Sequence, residues 1–151
     1  MKPIRQRLGF FVALLITALP AFAQTFQSEG IFYKVLNSNS VEVTSAPGTG
    51  TPYSGDIVIP ESVIYDDVVY TVTRIGSLAF SDCEELTSVK LPKSILTIGV
   101  QAFQESGISS IVLPDALTTI KEEAFADCQN LTDVTFGSGL FFNWYACFFP
   151  H

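Results

Sequence analysis

Apolar positions in the middle of the chain return at a fixed interval. Ile75, Ile98 and Ile120 recur at steps of 23 and 22 residues, and Ala79-Phe80, Ala102-Phe103 and Ala124-Phe125 keep the same steps. Leu86, Ile108 and Leu131 form another column at this spacing, and so do Val89, Ile111 and Val134. Leu91-Pro92 is echoed by Leu113-Pro114 and, degenerately, by Phe136-Gly137. An interval of this size is the signature of a solenoid. A unit this short cannot bury its own apolar side and must stack on a neighbour.

The pattern inside one unit predicts its parts. Val89 and Leu91 fall on one face of a short strand, because side chains alternate with period two, and Lys90 points the other way. Pro60, Pro92 and Pro114 follow such strands and end them, since proline lacks a ladder donor. Leu96 and Ile98 read as a second alternating pair, copied by Leu117 and either Thr119 or Ile120. The third side carries the Ala-Phe pairs, which predict a stack of phenylalanine rings inside the coil. The expected core is Ile75, Phe80, Leu86, Val89, Leu91, Ile98, Phe103, Ile108, Ile111, Leu113, Ile120, Phe125, Leu131 and Val134.

Upstream the period changes to strand alternation. Gly30 to Leu36 and Ser40 to Thr44 read as two strands joined by the turn Asn37-Ser38-Asn39. This hairpin is the expected lid on the open first rung. Ala46 to Gly55 is rich in glycine and proline and reads as a loop. Ile57-Val58-Ile59-Pro60 resembles Val89-Lys90-Leu91-Pro92, but Tyr65 to Val72 is inserted before the next Ile-Gly pair. The insertion reads as a projecting hairpin with Asp66-Asp67 at its tip.

The expected organisation is a β-rich solenoid of 22–23-residue units with an N-terminal β-hairpin cap. Residues 24–55 form the cap and loop, and 56–140 the repeats, with an expanded first turn at 56–74 and units at 75–97, 98–119 and 120–140. The tail, 141–151, departs from the pattern: it is aromatic and carries no formal charge. It is either a hydrophobic plug over the last rung or the mark of a truncated or frameshifted longer solenoid. The second account is preferred, since repeat arrays end in units with polar outer faces.

Charge and the first residues place the chain. Lys2, Arg5 and Arg7 precede an apolar run from Leu8 to Leu19, and Ala21-Phe22-Ala23 follows as a cleavage signal. Residues 1–23 therefore read as a secretory signal peptide. The apolar run is too short to span a bilayer, and no later stretch can do so. The formal charge is -7, and losing those three basic groups leaves five against fifteen acidic ones, or -10. So acidic a body repels nucleic-acid phosphates and anionic lipid.

Candidate chemistry is sparse. Asp66-Asp67 lacks a third oxygen ligand at a defined spacing, and a solvated turn is preferred to a calcium site. Cys83 and Cys128 share a column two rungs apart, about 10 Å at strand spacing. That is beyond the roughly 7 Å a disulfide spans between α-carbons. Both are expected reduced and buried as small hydrophobes, and Cys147 is left over as a free or intermolecular thiol. The only histidine is terminal His151, so a metal site or serine triad has no support. Asn130-Leu131-Thr132 fits a glycosylation acceptor, but Leu131 belongs to a core column.

The unit I-G-x-x-A-F-x-x-C-x-x-L-x-x-V-x-L-P resembles the BspA-like leucine-rich repeat of exported bacterial surface proteins. Ile75 to Pro92 matches almost throughout. Ile98 to Pro114 matches with Ser106 at the cysteine position, and Ile120 to Val134 keeps Cys128. The front segments G-I-F-Y-K-V-L, Y-S-G-D-I-V-I-P and V-T-R-I-G are also similar. The resemblance implies a right-handed solenoid with short parallel strands stacked on one face. It further implies adhesion to host matrix proteins or other bacteria, and it brings no catalytic residues.

The expectation is a secreted or cell-surface binding module and no enzyme, without cofactor or metal. Its partner would be a protein or glycan, from host matrix or another bacterial cell. The candidate face is the outward side of the strand column, where Thr87, Ser88 and Lys90 align with Ser109, Ser110 and Val112, then with Thr132, Asp133 and Thr135. The alternative is a truncated or frameshifted remnant of a longer repeat protein with no independent function.

Overall fold

The structure, a computed structural model, describes residues 24–48 and 53–140. Residues 1–23, read as a signal peptide, and the tail 141–151, with Cys147 and His151, lie outside the described residues. The strands are β1 (Thr25–Ser28), β2 (Ile31–Val35), β3 (Ser40–Thr44), β4 (Gly55–Val58), β5 (Ser62–Tyr65), β6 (Val68–Ile75), β7 (Leu86–Lys90), β8 (Thr97–Ile98), β9 (Ser110–Val112), β10 (Thr119–Ile120) and β11 (Asp133–Thr135). They make a β-rich repeat fold of two open sheets. One is four-stranded, in the order β4-β7-β9-β11, with every pair parallel. The other runs β1-β2-β3-β6-β8-β10, with β5 added on β6.

Each repeat hands one short strand to each sheet, so β7 and β8 are followed by β9 and β10. The third side is bonded between repeats as well, although it holds no strand. The N–H groups of Leu78, Phe80 and Asp82 donate to the carbonyls of Val100, Ala102 and Gln104 at 3.1, 2.7 and 2.9 Å. Gln101, Phe103 and Glu105 repeat the ladder onto Glu122, Ala124 and Ala126. Two positions per repeat adopt positive φ without being glycine: Leu78 and Asp82, Gln101 and Glu105, Glu123 and Asp127, all between 53° and 58°. This left-handed backbone carries a steric cost for any residue with a Cβ.

Phenylalanine rings stack along the inside. Phe80 and Phe103 lie 5.0 Å apart at 14°, and Phe103 and Phe125 lie 5.1 Å apart at 5°. All three are fully buried, and Ala79, Ala102 and Ala124 are buried beside them. Ile75, Leu86, Val89, Ile98, Ile108, Ile111, Leu113 and Ile120 are also buried. Leu91, Leu131 and Val134 are only half-buried and pack against the core from its rim. Leu131 and Val134 belong to the stretch ending in β11, the edge of its sheet among the described residues. Phe136, the degenerate copy of Leu91 and Leu113, is half exposed.

The expected Leu96–Ile98 pair is corrected. Leu96 is 46% exposed, and Ile95 takes the buried place, with Leu117 as its copy and Ile120 rather than Thr119 after it. The reason is the corner. Ile95 and Leu117 donate back to the carbonyls of Pro92 and Pro114 at 3.3 and 3.0 Å. A turn there breaks strand alternation, so period two cannot be counted back from Ile98. The expected burial of Cys128 is corrected too. Cys83 is buried but Cys128 is half-buried, and both are free thiols. Cys128 Sγ donates to the carbonyl of Phe103 at 2.9 Å and lies 3.5 Å from Ser106 Oγ, which fills the column between the two cysteines.

One step in the repeat is short. Leu86 lies six positions after Phe80 and Leu131 six after Phe125, but Ile108 lies only five after Phe103. Gly107 occupies the shortened corner, and a Cβ there would sit 1.9 Å from the carbonyl oxygen of Glu84. No side chain fits.

The N-terminal hairpin, read from the sequence as a lid on the first rung, joins the fold by pairing in the plane of the sheet. β2 and β3 pair antiparallel with Tyr33 opposite Val43, and β3 pairs parallel with β6, Val41 opposite Val72. β1, not foreseen, pairs antiparallel on the far side of β2. Tyr53 adds a ring over the first phenylalanine. Its ring is 4.9 Å from Phe80, at the front of the phenylalanine column. Its hydroxyl donates to the Thr44 carbonyl at 2.7 Å and accepts from the Phe32 N–H at 2.9 Å.

Candidate binding face

The four-stranded sheet turns one side to the core and the other outward. Val89 and Ile111 point in; their neighbours point out by strand alternation. Register places Asp56 beside Ser88, Ser88 beside Ser110, and Ser110 beside Asp133. This makes one continuous outward row across β4, β7, β9 and β11. A second row holds Val58 beside Lys90 and Val112 beside Thr135. Thr87, Lys90, Ser109, Ser110, Val112, Thr132, Asp133 and Thr135 are exposed, and Ser88 is half-buried. Thr87, Ser109 and Thr132 stand where the chain enters these strands. The Ser109 N–H reaches the Thr87 carbonyl at 3.4 Å, and the Thr132 N–H reaches the Ser109 carbonyl at 3.0 Å.

Two members of the face, Asp56 and Val58, were not singled out in the sequence. The likeness of Ile57-Val58-Ile59-Pro60 to Val89-Lys90-Leu91-Pro92 carries both positions and is the signal that places them. Asp56 Oδ1 accepts from Ser88 Oγ and Thr87 Oγ1, each at 2.7 Å. These hydroxyls, Ser88 first, hold its carboxyl below the ordinary range. Asp133 accepts from Thr132 Oγ1 at 3.1 Å. A carboxylate thus stands at each end of the row, with serine hydroxyls between.

Below the second row the sheet passes into a shallow groove of about 750 Å³, bounded by Lys90, Leu91, Val112, Leu113, Pro114 and Phe136. Val112 is 65% exposed on its floor. At the next corner Asp115 Oδ1 accepts from the Ser138 N–H at 2.8 Å and from its hydroxyl at 3.1 Å. Those bonds, with a smaller effect from Lys93, hold the Asp115 carboxyl low.

Elsewhere the candidate chemistry is structural. Asp66 and Asp67 form the two-residue turn of the β5–β6 hairpin, both at positive φ. Among the described residues no group of three or more His, Cys, Asp or Glu is placed to hold a metal. Burial raises both the Cys83 and Cys128 thiols above their ordinary range. No helix among the described residues is long and apolar enough to cross a membrane.

The same chain pattern occurs in known proteins. The model of the BspA type leucine-rich repeat region matches residues 59–149 in 6 copies. No curated protein matches the sequence. Among solved structures, the pneumococcal vaccine antigen PcpA is similar, with a TM-score of 0.55 and 22% identity over 78% of this chain and 39% of that one. A leucine-rich repeat protein from Bacteroides ovatus has a TM-score of 0.40 and 23% identity over 76% of this chain and 42% of its own. One from Bacteroides capillosus has 0.44 and 23% over 77% and 67%. The chain therefore spans about two-fifths of the length of the first two. The likeness to PcpA shows a shared fold, and the repeat model covers more than half of the sequence. On that match, the chain belongs to the BspA type leucine-rich repeat family.

Proposed function

We propose that the chain is an exported binding module of the bacterial surface. Its repeats wind as a solenoid over residues 56–140, and the outer face of β4, β7, β9 and β11 receives a protein or glycan. The observation that carries this is the in-register outward row of Asp56, Ser88, Ser110 and Asp133 beside the row containing Val58, Lys90, Val112 and Thr135. Stacked short repeats offer such a broad, continuous surface, which is how repeat proteins bind. The hydroxyls and carboxylates suit hydrogen bonds to peptide groups or sugar hydroxyls. The exposed Val112 and Phe136 add apolar area beside them. The Ser88 and Thr87 hydroxyls are held by the Asp56 carboxylate, whose lowered pKa makes it a weak base, and this favours binding over catalysis.

The test is retention. Residues 24–140 are immobilised and exposed to host-matrix and bacterial-surface extracts, beside a variant with the outward residues of the face scrambled. The reading expects a partner held by the native face and released by the scrambled one. Equal retention by both would overturn it.

A further inference from the structure

We propose a second docking site on the edge of the projecting β5–β6 hairpin, for an extended segment of another protein that is apolar in the middle and basic at its ends. This inference stands apart from the four-stranded face. β5 pairs with β6 through Val63 opposite Tyr70 and Ile64 opposite Val69, and among the described residues no strand pairs with its other edge. The Val72 N–H donates to the Glu61 carbonyl at 3.0 Å, and the two-residue turn sits between Tyr65 and Val68. Bonded pairs alternate along an antiparallel ladder, so the backbone groups of Ser62 and Ile64 point away from β6.

This edge lacks the usual protection. Ser62–Tyr65 contains no lysine, proline or other charge, and proteins commonly guard exposed edges with such residues. Its face is apolar: Ile64 is 69% exposed and Val69, opposite it, 60%. Unpaired backbone with alternate apolar side chains is the pattern that accepts an added strand.

Charge selects the occupant. Glu61 stands at one end of β5, and Asp66 and Asp67 at the other, all exposed and none in an ion pair among the described residues. A second copy of this chain fits badly. Antiparallel pairing centred on Ile64, whose backbone groups face outward, would set Glu61 opposite Asp67. Like charges directly opposite destabilise a strand pair. A strand with a lysine or arginine at each end meets opposite charge at both.

The experiment measures binding of two capped synthetic peptides, KVTVTVK and EVTVTVE, to the protein purified from cells expressing the full chain. The basic-ended peptide binds and the acidic one does not. Glu61→Gln with Asp66→Asn and Asp67→Asn weakens binding by about tenfold at low salt; asparagine tolerates the positive φ of the turn. Ile64→Lys, which adds a repelling charge to the edge, abolishes it. Should Ile64→Lys fail to fold, the charge-neutral triple variant still decides. Equal affinity for both peptides, no binding of either, or binding unchanged in the triple variant overturns the proposal. Self-association of the chain that Ile64→Lys abolishes also overturns it, because the occupant would then be a second copy.

Discussion

The rings of Phe103 and Phe125 lie 5.1 Å apart and within 5° of parallel, although 22 positions separate them in the chain. Phe80 continues the stack on the other side of Phe103 at 5.0 Å. Phe103 is thus clamped between two rings and makes no contact with solvent. Truncating such a residue removes its transfer energy and leaves a cavity that neighbours held on both sides cannot fill. Phe103→Ala is expected to lose about 3–5 kcal/mol in urea unfolding. A loss below about 1 kcal/mol would mean that the column is not the core of the stack.

Gly107 and Gly30 separate two reasons for a glycine. At Gly107 a Cβ meets the Glu84 carbonyl at 1.9 Å, whereas at Gly30 it meets nothing within 4 Å and the φ of +83° alone is at stake. Gly107→Ala is expected to cost about 3 kcal/mol, as overpacking against backbone does. Gly30→Ala is expected to cost about 1 kcal/mol. Chemical denaturation of the two variants checks the order, which reverses if the short corner can relax.

Leu78 pays a steric cost for its left-handed backbone and is half exposed. Leu78→Asn places a residue that tolerates this region at the same site. It is expected to raise stability by about 0.5 kcal/mol, because little apolar area is given up in exchange. Thermal melts read the sign.

Two buried tyrosines call for opposite outcomes. The Tyr33 hydroxyl is buried without a hydrogen-bond partner, while that of Tyr53 bonds Thr44 and Phe32. Tyr33→Phe is expected to stabilise by about 1 kcal/mol, and Tyr53→Phe to destabilise by about the same amount. Desolvation raises both phenols, that of Tyr53 to about 12. A raised folded pKa gives stability that is complete below the ordinary phenol value and is lost as pH rises through the folded value. Alkaline unfolding of the wild type should therefore set in above the ordinary tyrosine range, near pH 10. Tyr33→Phe should move it upward. Asp56 behaves in the reverse sense. Its carboxyl is lowered by Ser88 and Thr87, so its contribution is present above the ordinary carboxylate range and is lost as pH falls through the lowered value.

The stack was legible in the sequence because its columns are repeated. Each of Phe80, Phe103 and Phe125 is one instance of a position sampled three times, and three samples outweigh local ambiguity. Positions outside those columns were read less well. Leu96 looked apolar and aligned with Ile98 by alternation, but a corner intervenes and Ile95 is inside. Tyr53 sat in a stretch of glycine and proline that reads as a spacer, yet it covers the first ring of the column. The left-handed positions at Leu78, Gln101 and Glu123 carry three unrelated residue types, and no composition signals them. On the face, the repeat placed Ser88, Ser110 and Asp133 together. The expanded first turn hid Asp56, because the insertion after its strand breaks the period between that strand and the next unit.

The most direct measurement is partner binding by two matched double variants. Ser110→Arg with Val112→Arg places two bulky charges on the outward rows of the four-stranded sheet. Thr71→Arg with Thr119→Arg places the same charges on the exposed side of the other sheet. All four positions are exposed, so both proteins should fold with unchanged circular dichroism. The account predicts that the first pair abolishes retention of the partner captured from matrix or surface extract and that the second leaves it intact. Retention by the first variant, or loss in the second alone, would contradict it.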